Sequence, residues 1–346
     1  MFNARWVVLV ILMVLIGLVA QQSGLLVLAG LLGTVIPLAW LWNHYSLHRI
    51  EYERDFGAQR VFAGETVDMT LTVTNRKILP VAWLRIEDTF PRGIRVLEEQ
   101  ITSPAADVYL LVNALSLRWY ERVRWVSHLD CARRGYYFFG PTHLASGDLF
   151  GLFSQGRQLA EQDWLIVYPE VKPLEEFGLP SKELFGEASV ENRIFEDPSR
   201  VIGVRDYEPG DAFKRIHWKV TARRQEIQVK VYEPTTTSQL LLMINIATLP
   251  KYWQGIIRER LERIISLAAS LASEGTEKRY QVGVVANGSW PLSEQPLRVM
   301  PSRDPAQLVH ILEALAAVSD MPTMPFETLL TRTSPDLPWS ATLVVI

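Results

Sequence analysis

The chain has 346 residues, with 35 Lys and Arg against 38 Asp and Glu, a net charge of −3 and a pI near 6.1. That balance excludes a dedicated nucleic-acid binder, whose domains carry a strongly basic face. A single cysteine, Cys131, excludes an internal disulfide framework and suits a reducing compartment.

Two apolar runs open the chain, Trp6 to Ala20 and Leu25 to Trp42, with no charged residue between Arg5 and Arg49. A helix needs roughly 20 mostly apolar residues to cross a bilayer, with a lower limit of about 17. The second run meets that length, and the first does so with a few flanking residues. Gln21-Gln22-Ser23-Gly24 between them is polar and turn-forming. Residues 1–46 therefore read as a transmembrane helical hairpin, with helices over about 6–21 and 25–42. Trp6, Trp40 and Trp42 lie at run ends, where indole rings prefer the headgroup level. A cleaved secretory signal fits less well, because Leu18 stands where a small residue belongs and a second apolar run follows at once. Arg5 precedes the hairpin, Arg49, Arg54 and Arg60 follow it, and its turn has no basic residue. The positive-inside rule then places both termini in the cytoplasm. About 300 residues remain, enough for two or three folded units.

Residues 47–170 alternate apolar and polar side chains in short runs. Thr66 to Thr74 puts Val67, Met69, Leu71 and Val73 on one face, the pattern of a half-buried antiparallel strand. Further strands are predicted over Val81 to Ile86, Leu115 to Val126, Tyr136 to Phe139 and Leu165 to Tyr168. Strands at this spacing, with no helical period between them, imply a β-sandwich of the immunoglobulin-like kind.

Residues 171–236 form a linker and a motif segment running Arg205-Asp206-Tyr207-Glu208-Pro209-Gly210-Asp211-Ala212-Phe213-Lys214-Arg215-Ile216-His217-Trp218-Lys219, followed by Arg223. Pro209-Gly210 predicts a turn. Asp211 then reads as the N-cap of a short helix that stacks Arg215 and Lys219 on one face. Between residues 200 and 230 eight Lys or Arg face four acids, so basic charge is concentrated here.

Residues 237–346 read as an α/β domain. Leu240 to Ile246 is a continuous apolar run, as expected of a parallel strand buried on both faces. A helix is predicted over Gly255 to Glu274, with Ile257, Leu261, Ile264, Ile265, Ala268 and Leu271 at helical spacing and Gly275 as its C-terminal cap. A strand over Tyr280 to Ala286 follows. Asp304-Pro305-Ala306-Gln307 then announces a second helix, with Gln307 reaching back to the cap and Leu308, Ile311, Leu312 and Leu315 on its core face. Thr342 to Ile346 reads as a third strand. An apolar strand running to the last residue suggests either a domain cut short there or a strand that ends inside the sheet.

The 205–219 run resembles the bacterial membrane family catalogued as domain of unknown function 58. So do Arg133-Arg134-Gly135-Tyr136, Gly140-Pro141 and Asp148-Leu149-Phe150-Gly151-Leu152-Phe153 upstream of it. The resemblance covers nearly the whole chain. It implies a membrane hairpin, a β domain, the motif segment and a C-terminal domain similar to von Willebrand factor A, located at the bacterial cytoplasmic membrane. It also implies partnership with a MoxR-type AAA+ ATPase. No catalytic residue carries over, because none is established for the family.

A von Willebrand factor A domain usually binds a divalent cation through Asp-x-Ser-x-Ser after its first strand, where hard oxygen ligands suit magnesium. The corresponding positions here are Asn245, Ala247 and Leu249, so a degenerate site and no bound metal or cofactor are expected. His128, Cys131 and His143 are possible zinc ligands, but only the first two have ligand-like spacing. Signatures of P-loop nucleotide binding, zinc proteases and serine hydrolases are absent from the sequence. The motif residues Arg205, Tyr207, Gly210, Asp211, Arg215, His217, Trp218, Lys219 and Arg223 leave three readings. They pack a domain junction around Trp218, Phe213, Ile216 and Tyr207, they dock a partner protein or anionic headgroups, or Asp211 and His217 serve a hydrolase or metal-dependent enzyme as acid and base. A membrane-anchored, non-enzymatic interaction or scaffold protein is the expectation, with the bilayer and a MoxR-type ATPase as partners.

Overall fold

The computed structural model describes the chain apart from residues 1–3, 98–101, 106–107, 180–194, 236–238, 250–254, 291–292, 294 and 338–340. It forms two compact units, Met1–Tyr168 and Pro169–Ile346.

The first unit opens with helices α1 (Ala4–Val19) and α2 (Ser23–Ser46), packed side by side. The chain reverses at Gln21, whose φ is +53°. Gly17 permits the close approach, because a Cβ there would lie 3.0 Å from Leu26 Cδ2. The 24 residues of α2 span about 36 Å at ~1.5 Å per residue, more than the ~30 Å hydrocarbon core. Among the described residues α2 is the one helix long and apolar enough to cross a membrane, and Leu28, Leu31, Leu38 and Leu41 stand exposed along it. At 16 residues, α1 is shorter than the usual span. α2 runs past its predicted end at Trp42 because its last carbonyls find donors outside the helix. Lys77 Nζ donates to Ser46 O and, at 2.8 Å, to His48 O. Gln155 Nε2 donates to Asn43 O and, at 2.9 Å, to Ser46 Oγ. Burial pushes the Lys77 amine down to about 8.

Among the described residues twelve strands follow: β1 (Ile50–Phe56), β2 (Arg60–Phe62), β3 (Thr66–Asn75), β4 (Val81–Pro91), β5 (Arg95–Val96), β6 (Thr102–Ala105), β7 (Val108–Leu117), β8 (Arg122–Asp130), β9 (Gly135–Phe139), β10 (Thr142–Gly147), β11 (Ser154–Leu159) and β12 (Asp163–Tyr168). They form sheets ordered β1-β3-β8-β5, β11-β10-β4-β7-β6 and β2-β12-β9. The alternation read in β3 is real, since Val67, Met69, Leu71 and Val73 are all buried. The predicted strand Leu115 to Val126 is instead the end of β7, a turn and the start of β8. Tyr120 takes a φ of +51° and Glu121 Oε2 accepts from Arg118 N at 2.6 Å, so a local acceptor makes the turn where two β-forming aromatics suggest a strand.

The apolar faces of the first two sheets share a core in which Ile50 and Val73 meet Leu84, Ile86, Leu117 and Leu144. A second cluster holds Phe56, Phe90, Phe139 and Cys131. Burial, with the nearby Asp130 and Glu65 charges, pushes the Cys131 thiol up to about 12. Between the sheets lies a charged layer that the sequence reading did not contain. The Arg54 and Asp88 side chains, each 1% exposed, are ion-paired. Arg54 Nη1 also donates to Asp163 Oδ2 at 2.8 Å, Thr142 Oγ1 donates to Asp88 Oδ1 at 2.7 Å, and the Tyr52 hydroxyl donates to Asp88 Oδ2 at 2.5 Å. Burial opposes the Arg54 charge, but Asp88, Tyr52 and Asp163 outweigh it and hold the guanidinium above its ordinary pKa. Arg54 thus serves the core, although it counts in the charge asymmetry around the hairpin.

In the second unit, β13 (Phe195–Asp206) pairs antiparallel with β14 (Gln228–Thr235), and the short helix α3 (Trp218–Arg224) lies in the connection. A four-stranded sheet follows in the order β17-β16-β15-β18, from β15 (Gln239–Ile244), β16 (Gln281–Ser289), β17 (Pro296–Val299) and β18 (Ala341–Val345). β15 pairs parallel with β16 and β18, and β17 runs antiparallel to β16. Helices α4 (Arg258–Glu277), α5 (Gln307–Ala317) and α6 (Phe326–Thr333) cover the sheet. Leu241, Met243 and Val285 pack against Leu329 of α6, while Leu240, Leu242 and Ile244, on the opposite face by alternation, are buried too. That double burial explains the continuous apolar run.

Gly275 is not a cap: α4 passes through it to Glu277, and the reversal falls on Arg279 with a φ of +64°. Gln307 does not reach back to its helix start, because its amide donates to Val282 O at 2.9 Å and Met300 O at 2.8 Å. The strand β17 and helix α6 were not foreseen, and β18 lies at a sheet edge with Leu343 and Val345 exposed.

Candidate functional site

The motif segment is the connection between β13 and β14, and backbone pairing sets its base. Asp206 stands opposite Gln228 and Arg205 opposite Val229. Tyr207 N donates to Ile227 O at 3.0 Å and His217 N to Gln228 O at 2.8 Å. Gln228 is fully buried and ties the parts together. Its Nε2 donates to Asp206 Oδ1 at 2.6 Å, its Oε1 accepts from Arg224 Nη1 at 3.3 Å, and its backbone N donates to Thr221 Oγ1 at 3.0 Å.

Asp211 has a different role from the predicted cap. Arg205 donates to it through both guanidinium nitrogens, at 2.8 and 2.6 Å, and Glu208 N donates to it at 3.0 Å across the Pro209-Gly210 turn. Gly210 supplies the turn's positive φ of +117°. The Arg205 hydrogen bonds, and then the Glu208 N–H, hold the Asp211 carboxyl below the usual carboxylate range. A two-pronged charge-assisted pair outcompetes a single cap bond, so no α-helix starts at Asp211. A 3₁₀ turn over Phe213–Arg215 follows instead, and α3 starts only after His217, whose Nδ1 accepts from Val220 N at 3.4 Å. Arg215 and Lys219 therefore do not share a helix. The Arg215 guanidinium lies 5.8 Å from the Tyr232 ring centre, a cation–π distance.

Ile216 is buried and Tyr207 half-buried, as a packing role requires. Phe213 and Trp218 are not, being 75% and 67% exposed. Lys214, Lys219, Arg223 and Arg224 are exposed with them. The sequence reading missed Gln228, because its partners come from both sides of the connection and nothing around it marks it as a hub.

After β15, the Asn245 side-chain oxygen accepts from Ala247 N at 3.1 Å and from Asn287 Nδ2 at 3.0 Å. Thr248 Oγ1 accepts from Ile257 N at 2.6 Å, and Asn287 Oδ1 from Ile246 N at 2.8 Å. These oxygens hold the loops together, and Leu249 offers none. Elsewhere, His128 Nδ1 lies 2.7 Å from Asp68 Oδ1, and Cys131 is buried. Among the described residues no three His, Cys, Asp or Glu side chains gather as a metal would require.

Residues 203–330, from within β13 into α6, match the family model described as "Protein of unknown function DUF58". The chain is 26% identical over 232 residues to the uncharacterized protein YeaD of Bacillus subtilis, which covers 66% of this chain. It spans about half, 53%, of that relative's length. Among solved structures, Spo0M, a sporulation control protein from Bacillus subtilis, matches at 12% identity and a TM-score of 0.22, over 34% of this chain and 49% of that one. A cohesin module from a Clostridium perfringens family 33 glycoside hydrolase matches at 12% identity and a TM-score of 0.24, over 34% and 96%. Likeness at this level carries no argument about fold or function.

Proposed function

We propose that the protein is a membrane-anchored, non-enzymatic interaction protein that recruits a partner through the 205–224 connection. The observation that carries this reading is the exposure of Phe213 and Trp218 on a segment that is otherwise locked. Large aromatics beside exposed Arg and Lys have the composition of interface hot spots, and a loop fixed by Arg205–Asp211 and by Gln228 loses little freedom on binding. The enzyme alternative draws less support, since the Asp211 oxygens are occupied by Arg205 and Glu208 and the His217 Nδ1 by Val220.

The hairpin serves as a two-pass anchor with both termini cytoplasmic, following the charge pattern around it. The β domain is an immunoglobulin-like sandwich, a reading its strand spacing supports, and the C-terminal domain is von Willebrand factor A-like, with a MoxR-type AAA+ ATPase as the partner, which the motif resemblance supports. The test is capture of a purified MoxR-type ATPase of the same cell by the full chain in detergent. Phe213→Ala with Trp218→Ala should abolish capture without lowering the melting temperature. Capture that survives both substitutions refutes the docking surface. A periplasm-only reporter fused after Ile346 should be silent, and activity there refutes the topology.

A further inference from the structure

Three loops of the β domain gather around the last turn of α2: residues 76–80 between β3 and β4, 118–121 between β7 and β8, and 148–153 between β10 and β11. Hydrogen bonds fix the first two to one another and to the helix end, and Gln155, just after the third, ties the start of β11 to α2. Asn75 Nδ2 donates to Leu79 O at 3.1 Å and Arg118 O at 2.7 Å, and Tyr120 N donates to Lys77 O at 3.2 Å. Lys77 and Gln155 reach α2 as described above, and Asp148 accepts from Phe150 N at 3.0 Å and Phe153 N at 2.8 Å. The joint from α2 to β1 is only Leu47-His48-Arg49, with Leu47 buried and Arg49 O accepting from Arg76 N at 3.0 Å.

Side chains at the tips of these loops are the wrong kind for open water. Ile78, Trp119, Tyr120, Leu149 and Phe150 are between 57% and 75% exposed, and Arg49, Arg76 and Arg118 stand exposed among them. Large apolar tips rimmed by basic residues mark an interaction surface. Its position names the occupant. A helix of ~36 Å crossing a ~30 Å core ends at headgroup level, and loops tied to its final turn share that level. Trp and Tyr favour this layer, and Arg is drawn to anionic headgroups.

We propose that these loop tips lie in the headgroup layer of the bilayer that α2 crosses, so that the β domain sits against the membrane face and has a second foothold there. The inference rests on the membrane reading of α2. Its test uses the full chain reconstituted in phosphatidylcholine–phosphatidylglycerol vesicles. Single environment-sensitive fluorophores are attached at Trp119→Cys, Phe150→Cys, Leu31→Cys in α2, and Arg92→Cys at the far end of the β domain, each variant first checked for native melting. Lipids carrying a nitroxide near the headgroup should quench the labels at 119 and 150 but not at 92, and deep nitroxides should quench the label at 31. Quenching at 31 with none at 119 and 150 overturns the second foothold and leaves the anchor standing. Failure to quench at 31 overturns the anchor itself, and the inference with it. Equal quenching at 92 and 119 also overturns it, because the two positions lie at opposite ends of the domain.

Discussion

Arg54 and Asp88 meet between two sheets with almost no exposure, which makes the pair a sharp test of how the β domain is held together. Arg54→Met removes the cation and leaves the Asp88 carboxylate buried with only the Tyr52 and Thr142 hydroxyls. Asp88→Leu leaves Arg54 with Asp163 as its one remaining carboxylate among the hydrogen bonds described. Removing one partner of a buried ion pair costs about 3–5 kcal/mol, because the survivor is an uncompensated charge. Arg54→Met should therefore lose that much, a large share of the roughly 5–15 kcal/mol available to a folded domain, and Asp88→Leu should lose less, because Asp163 still pairs with Arg54. If the losses were independent, the double variant would lose more than either single variant. It should instead lose about 1–3 kcal/mol, because no buried charge is stranded and the chief remaining defects are the Tyr52 and Thr142 hydroxyls without their acceptor. Urea unfolding of the full chain in detergent, followed by near-ultraviolet circular dichroism, measures all four corners of the cycle. A double variant as unstable as the sum of the singles would show that the two side chains do not act as a unit.

Trp218→Ala should change stability by less than about 0.5 kcal/mol, as exposed positions do, whereas a loss of about 3–5 kcal/mol in the same unfolding assay would mark it as core. Gln228→Leu should cost about 1–3 kcal/mol by leaving Asp206 and Arg224 short of a buried partner, seen as a lower urea midpoint with an unchanged slope. Lys77 predicts a pH dependence. Its amine is lowered to about 8 in the folded chain against about 10.4 unfolded, so between those values the unfolded state holds more protons and stability rises with pH. Below pH 8 both states are charged and the burial penalty is in full force. The gain between pH 8 and 10.5, up to about 3 kcal/mol, should vanish in Lys77→Met, and an identical pH profile for that variant would refute the assignment.

Legibility in the sequence followed the range of the interactions involved. β3 was readable because its alternation needs only its own residues, and β15 because burial on both faces leaves an unbroken apolar run. The strand read across Leu115 to Val126 failed at Trp119 and Tyr120, where a backbone-to-Glu121 bond sets a turn that composition does not announce. Asp211 sat where a cap rule applies, yet Arg205, six residues earlier, offered two charge-assisted bonds against one. The Arg54–Asp88 pair joins residues 34 apart, and the Asn245–Asn287 pair joins residues 42 apart. Spacing can say which face such side chains occupy but not which partner faces them. Trp218 was ambiguous for a plainer reason, since an indole suits a core or an interface equally well until its neighbours are placed.

Cys131 gives the chain a clock that needs no engineering. Attack by a thiol requires its thiolate, and with its pKa near 12 only about one in ten thousand is ionised at pH 8, against roughly one in four for an ordinary thiol of pKa 8.5. It also has no access to solvent among Phe56, Phe90 and Phe139. Alkylation must therefore wait for this cluster to open, and as this is the chain's one cysteine, every modified molecule records one such opening. The rate of label uptake, divided by that of a free thiol, reads the open population of the β domain directly under native conditions.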